Sequence, residues 1–357
     1  MGTGPDHGAR LGAYEKVGGW LAAVGERRLG EVLAGVVPLG AGIGGATGVL
    51  DVAGTPVFVK RVPLTAGELV PEHRYSTADV FGLPAYCHYG VGLPGSPGFG
   101  AWRELAAHRM TTDWALTGAH DGFPLLYHWR VLPGEPSPLP AELADVERAV
   151  AYWGGGDGIR RRIEGLRGSP ASLVLFLERL PETLHDWLSA RIGADRGTAD
   201  AAVRSVEEQL TAGVRAMNEL GLLHFDGHFG NVLTDGRRLR FTDFGLALSP
   251  GFDLSPAERD FAARHRAHDP AYALSYLVNW LISAVYGYRR PEREALIRAC
   301  ADGAEPPPGP EAARAAIVRH ARIAAVVTEF HGRLTEESRE TPYPAAEVER
   351  ALRADRP

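Results

Sequence analysis

The chain is poor in lysine. Of its 38 Lys+Arg residues, only Lys16 and Lys60 are lysines. Arginine carries a broad planar fork and lysine a compact charge on a thin stem, so a site reaching past a cramped loop is one that keeps lysine. Cysteine is scarce as well: Cys87 and Cys300 give neither a disulfide framework nor metal-ligand spacing, and both are expected as free thiols in a reducing compartment. There is no excess of positive charge. A formal net charge of -6 excludes bulk attraction to nucleic acid or to anionic membrane. No run is apolar enough for a clear span. The uncharged stretch 271–288 contains Ser275, Asn279, Trp280 and Ser283, and it is short of the ~20 apolar residues that a span needs. A buried helix is expected there. The start, Met1-Gly2-Thr3-Gly4-Pro5-Asp6, has no basic end followed by an apolar run, and Asp6 stands where a myristoylation signal has Ser or Thr. These absences describe a cytoplasmic protein with neither a membrane nor a nucleic-acid partner.

What is present supports a sizeable core. With 45% hydrophobic and 23% charged residues in 357, one large or two medium domains are expected. Residues 11–34 read as a helix with Leu11, Tyr14, Leu21, Val24, Leu29 and Leu33 on its apolar face. Strands are expected near 35–39, 46–52 and 57–62, the last two joined by a turn at 53–56. Residues 63–100, rich in Gly and Pro, and the helical stretch 141–168, broken at Gly154-Gly155-Gly156, read as insertions. Between them lie a helix from Trp102 to Leu116 and a strand from Pro124 to Leu132. Leu173 to Leu177 is a buried strand by its continuous apolar run. From Pro181 onward the pattern is helical, over 182–192, 198–221, 268–287, 291–302, 310–335 and 344–354. The expected division is therefore a sheet-bearing 1–178 and a helical 179–357, hinged at Glu178-Arg179-Leu180. Nucleotides favour such inter-domain clefts, which makes Glu178 and Leu180 candidate nucleotide contacts.

The chemistry concentrates near residue 230. His224-Phe225-Asp226-Gly227-His228-Phe229-Gly230-Asn231 is followed by Val232-Leu233-Thr234, a turn at Asp235-Gly236, Leu239-Arg240-Phe241, and then Asp243-Phe244-Gly245. Two apolar strands about an Asp-Gly turn form a hairpin. Such a hairpin gathers Asp226, Asn231 and Asp243. A carboxylate to orient a hydroxyl, with an amide and a carboxylate to hold Mg²⁺, is the minimum equipment for phosphoryl transfer. Upstream, Gly40-Ala41-Gly42-Ile43-Gly44-Gly45 precedes a strand, a turn and a strand ending in Lys60. Backbone N–H groups at Gly40, Gly42 and Gly45 could approach phosphates with no Cβ in the way. Lys60 needs a carboxylate partner. Glu104 is the candidate from its helix, whereas Glu68 and Glu72 are nearer in sequence but lie in a Pro-flanked loop.

These motifs resemble the catalytic loop and magnesium-binding triplet of the protein-kinase-like superfamily, over roughly residues 35–290. The resemblance implies an α+β, two-lobed fold with ATP and Mg²⁺ as cofactors. In it Asp226 acts on the acceptor hydroxyl, Asn231 and Asp243 bind metal, and Lys60 neutralises the α/β-phosphates. His224 supports the loop, Gly245 completes the triplet, and His228 either donates to a phosphate or orders the loop. Asp269 is similar to an Asp that braces the catalytic loop, but an N-cap is the expected role. His265, His268 and Asp269 are not expected to form a zinc site. The Arg160-Arg161-Arg162 run reads as a solvated face.

The Gly-rich run and Asp243-Phe244-Gly245-Leu246-Ala247 are similar to protein kinases, whereas His228 and Gly230-Asn231 are similar to aminoglycoside phosphotransferases. Phe225 stands where His-Arg-Asp has Arg, so control by a phosphorylated activation loop pairing with that Arg is not expected. No Ala-Pro-Glu follows the Asp243 triplet. The expected function is a kinase acting first on Ser/Thr of a protein or peptide. The alternatives are a small-molecule hydroxyl, such as an antibiotic or metabolite, and a nucleotide-binding regulator without turnover.

Overall fold

The computed structural model describes residues 5–134 and 138–354, so the reading of the first four residues lies outside the described residues. The chain is mixed α+β and divides into two compact units. The first comprises residues 1–180 with 243–247 and 251–255, and the second takes the remainder. Against the expected partition at 178/179, the first unit runs to Leu180 and also takes 243–247 and 251–255.

The first unit opens with α1 (Pro5–Ala23) and α2 (Glu26–Leu33). A single helix over 11–34 was expected. Gly25, extended at φ -72 and ψ 160, caps α2 and breaks the run. Three strands follow, β1 (Val37–Gly42), β2 (Gly45–Val52) and β3 (Thr55–Leu64). After the short α3 (Ala66–Leu69) and a largely irregular stretch come α4 (Ala101–Leu116) and β4 (Leu126–Pro133). The expected inserted helices are α5 (Val146–Tyr152) and α6 (Asp157–Arg167), and β5 (Ala171–Glu178) completes the sheet. Gly154, Gly155 and Gly156 all have positive φ, which is why the helical stretch breaks there. The sheet is antiparallel throughout, in the order β1-β2-β3-β5-β4.

Alternation along β3 sends its side chains to two cores. Val57 and Val59 join Val17, Leu21, Leu29 and Leu33 of α1 and α2. Val62 and Leu64 join Trp102 and Leu105 of α4. Lys60 has the parity of Val62 and Leu64, so it projects on the α4 side. Lys16, by contrast, is exposed on α1.

The second unit contains a small sheet, β6 (Glu182–Thr183), β7 (Val232–Thr234) and β8 (Leu239–Phe241), and the helices α7 (Leu184–Ile192), α8 (Arg196–Glu219), α9 (Pro256–Arg264), α10 (His268–Tyr286), α11 (Arg290–Ala301), α12 (Glu311–Glu336) and α13 (Ala345–Ala354). β7 and β8 form the expected antiparallel hairpin, while β6 and α9 were not anticipated. α10 is the buried helix read from 271–288, and no helix among the described residues is long and apolar enough to cross a membrane. Cys87 and Cys300 are buried free thiols, and burial pushes the Cys87 thiol up, away from thiolate chemistry.

Candidate functional site

In the first unit, Lys60 Nζ lies 2.6 Å from Glu104 Oε1 and 2.9 Å from Asp243 Oδ1. The lysine and Glu104 side chains are 6% and 2% exposed, so neither charge has water to stabilise it. Burial opposes the ammonium, but Asp243 and Glu104 outweigh it and raise the pKa of Lys60 above its ordinary value. Lys60 is therefore a fixed cation. Of the carboxylates open to it in sequence, the structure selects Glu104. Glu68 is occupied elsewhere: its carboxylate accepts the Ala101 N–H at the start of α4 (2.8 Å) and pairs with Arg162 (3.0 Å). It thus fixes the helix that carries Glu104. This also corrects the reading of 160–162 as a solvated face at one position: Arg162 is buried against Phe81, while Arg161 is exposed as expected.

The β1–β2 hairpin lies over this pair. Gly42 pairs with Gly45 across it. Gly45 is demanded sterically: φ is +111°, and a Cβ would fall 2.0 Å from the Arg61 carbonyl. Gly40 and Gly42 have open space on their Cβ side. The glycine nearest the charges is Gly44, which was not among the sequence candidates; a Cβ there would sit 3.2 Å from Lys60 Nζ and 3.8 Å from Asp243 Oδ2. Gly245 adjoins the same group, its Cβ position lying 3.6 Å from Asp243 Oδ1 and 3.9 Å from Glu104 Oε2. Asp243 has φ of 64°, a left-handed conformation that costs a non-glycine residue about 1–3 kcal/mol and persists where surroundings enforce it. His108, one turn after Glu104, is fully buried and meets Phe244 edge-on at 4.8 Å.

Glu178 is placed differently from expectation. Its two carboxylate oxygens bond Arg10 Nε and Nη2, both at 2.8 Å, and one also accepts the Leu125 N–H. The side chain ties α1 to the sheet. Leu180 is half-buried at the end of the unit and shares none of these contacts.

In the second unit, Asn231 Nδ2 donates to the Asp226 carbonyl (3.0 Å) and to Asp226 Oδ2 (3.2 Å). That orientation leaves the Asn231 side-chain oxygen as the free donor atom for a hard cation. His228 Nδ1 accepts the Gly230 N–H at 3.0 Å, so a neutral ring carries its proton on Nε2, which lies 4.0 Å from Asp226 Oδ1. The ring thus orders the loop and faces the carboxylate at once. His224 Nε2 donates to the Thr242 carbonyl (3.0 Å) and Nδ1 accepts the Asp226 N–H (3.3 Å), a supporting arrangement.

Asp269 corrects the N-cap expectation. The cap of α10 is Ala267, and Asp269 accepts the backbone N–H groups of His224 (2.7 Å) and Phe225 (2.9 Å) together with Asn218 Nδ2 (2.9 Å). Burial opposes its charge, but the bonds from His268, His224 and Asn218 prevail and hold the carboxyl at about 2. Phe225, with φ of 63°, is kept in its left-handed conformation by that bond and by a ring packed on Phe261 and His268. Among the described residues no three His, Cys, Asp or Glu side chains gather as a metal cage. His265 is instead stacked between Phe261 and Tyr343, at 3.8 and 4.3 Å.

His265 makes stability pH-dependent. Burial first, then the neighbouring His268, pushes it down to about 3. Unfolded, it titrates near the ordinary value of about 6.5, so below that pH the unfolded chain binds the extra proton. Stability present at neutral pH is therefore lost as pH falls from about 6.5 toward 3. Between pH 6.5 and 5 the loss from this group is about 2 kcal/mol. Urea midpoints measured across that range should fall, and His265→Phe should flatten the slope; an identical slope in the variant would remove His265 as the cause.

The first unit holds a buried cation with two carboxylates beneath a glycine hairpin; the second holds an amide-oriented carboxylate on a braced loop. The donors suit an oxygen-loving divalent cation and phosphates: Asp243, 40% exposed, offers oxygen in the first unit and Asn231 in the second, while a Cβ at Gly44 would crowd Lys60. No protein-family model matches the chain, and no curated protein matches it either.

Proposed function

We propose that the chain is an ATP- and Mg²⁺-dependent phosphotransferase of protein-kinase-like, two-lobed architecture, moving the γ-phosphoryl group to a hydroxyl. The observation that carries this reading is Lys60, one of two lysines, buried and held between Glu104 and Asp243 under Gly44. A permanently charged ammonium there neutralises α/β-phosphate charge, and Glu104 keeps it aimed. Asp243 and Asn231 would hold Mg²⁺, which, bound with the nucleotide, offsets charge building on the phosphates. Asp226 orients the acceptor hydroxyl and takes its proton as the acceptor oxygen bonds to phosphorus. The bridging bond to ADP then breaks. Positioning and electrostatics supply most of such catalysis.

For the acceptor, the glycine hairpin and the Asp243-Phe244-Gly245-Leu246-Ala247 run favour Ser/Thr of a protein or peptide. A small-molecule hydroxyl is favoured instead by the wall beside Asp226, where the His228 and Tyr276 rings lie 6.3 Å apart. Asp226 also raises the Tyr276 phenol, second to burial, which places that ring in its electrostatic reach.

Incubation with γ-labelled ATP and Mg²⁺ in a lysate of the source cells, split into protein and small-molecule fractions, separates the readings. Label in protein that disappears with Asp243→Ala supports the first acceptor. Label confined to small molecules selects the second. ATP binding with label in neither fraction would make the chain a nucleotide-binding regulator and sink the transfer proposal.

A further inference from the structure

The inserted stretches build a core of their own in the first unit. Phe81, Leu83, Cys87 and Phe99 from one pack with Leu143, Val146, Trp153, Ile159 and Ile163 from the other. One residue from the glycine hairpin joins this core: Ile43, the residue at its tip. Ile43 Cδ1 lies 3.0 Å from where a Gly95 Cβ would stand, and Gly95 is itself fixed by Trp153 Nε1, which donates to its carbonyl at 3.0 Å. β2 is anchored by its pairing with β3 and by the buried Leu50 and Val52, whereas β1 pairs with β2 alone. β1 is an edge strand, all of its residues are exposed, and Val37 and Leu39 face solvent at 65% and 59%.

The same core grips the segment that begins with Asp243. His88, fully buried and stacked on Phe99 at 3.8 Å, donates from Nδ1 to the Leu246 carbonyl at 2.8 Å. Further along, the Thr77 N–H and hydroxyl both donate to Asp253 Oδ2, and the hydroxyl accepts the Asp253 N–H. The hairpin tip and the Asp243 segment, which meet at Lys60, are thus fastened to one inserted body.

We infer that this body is a clamp, in which Ile43 and His88 are positioning residues that keep Gly44 and Asp243 closed on Lys60 and so retain a bound nucleotide. The inference deepens the ATP reading and rests on it for the nucleotide. The fastening itself can be measured without any ligand.

The experiment has two arms. Amide hydrogen exchange is followed in the nucleotide-free wild type, Ile43→Ser, Ile43→Leu and His88→Phe. Dissociation of a fluorescent N-methylanthraniloyl ATP with Mg²⁺ is followed in the same proteins and in Lys60→Ala. Ile43→Ser should speed exchange over residues 38–48 and nucleotide dissociation by about tenfold each, the worth of roughly one half-buried aliphatic side chain. Ile43→Leu should restore both, and the melting temperatures should stay close, because Ile43 is half-buried at a turn. His88→Phe keeps the stack on Phe99, removes the bond to Leu246, and should speed exchange over 244–254. Wild-type exchange in Ile43→Ser and His88→Phe overturns the clamp, whatever the nucleotide does. Altered exchange, with nucleotide binding that is absent or indifferent to Lys60→Ala, leaves the clamp standing and sinks the ATP reading alone.

Discussion

Asp226→Asn should cut turnover to the acceptor by about 10²–10⁴-fold, the usual contribution of a positioned proton acceptor, and leave ATP affinity within about threefold. Asparagine has the shape of aspartate and keeps an oxygen for the Asn231 amide, which donates to Asp226 Oδ2 at 3.2 Å. The loop should therefore hold its conformation. What the substitution removes is the charge that takes the hydroxyl proton. A kcat that falls with an unchanged KM for ATP places the loss in the chemical step rather than in binding. Full transfer by the purified variant, measured with labelled ATP on the acceptor found in the lysate, would falsify the assignment of Asp226. A variant that also lost ATP binding would point instead to a collapsed loop, and near-ultraviolet circular dichroism distinguishes the two.

The second large effect is structural. Asp269→Ala leaves the His224 and Phe225 N–H groups and the Asn218 amide without their buried acceptor, and it strips His268 of its carboxylate at 3.2 Å. Each buried donor left without its acceptor costs about 1–3 kcal/mol. A large fall in the urea midpoint is expected. Asp269→Asn, which keeps one oxygen, should lose less than the alanine variant. Transfer should decline with both, because the two N–H groups immediately precede Asp226 in sequence and set the backbone that presents it. Equal midpoints for wild type and Asp269→Ala would show that this carboxylate does not brace the loop.

How far the sequence could be read depended on how far apart the partners lay. The β7–β8 hairpin was legible because its two short apolar runs and the Asp-Gly turn between them are contiguous. β3 was legible for the same reason. Lys60 and Asp243 were each singled out by motif order, but no local pattern shows that residues 183 apart meet. Glu104 was one of several carboxylates, and what separates it from Glu68 is that Glu68 is consumed in capping α4. Asp269 misled because an Asp at a helix start is a cap by local statistics, and only the distant N–H groups of His224 and Phe225 reveal its employment. Arg162 misled in the same way, since its run looked solvated until Glu68 and Phe81 enclosed it. Gly44 was passed over because six adjacent residues rich in glycine look alike until one of them faces Lys60. The break between α1 and α2 rests on one glycine within an otherwise helical composition.

The lysine shortage has a practical consequence for chemical labelling. Lys16 is exposed on α1, and Lys60 is buried under two carboxylates. An amine-acylating reagent applied to the folded chain should therefore mark Lys16 among the lysines and spare Lys60, whose raised pKa also withholds the neutral amine that reacts. Acylation of Lys60 would then record excursions in which Glu104 and Asp243 let go. A peptide map of a time course would turn that single side chain into a built-in clock for opening of the glycine hairpin, with Lys16 as its internal standard.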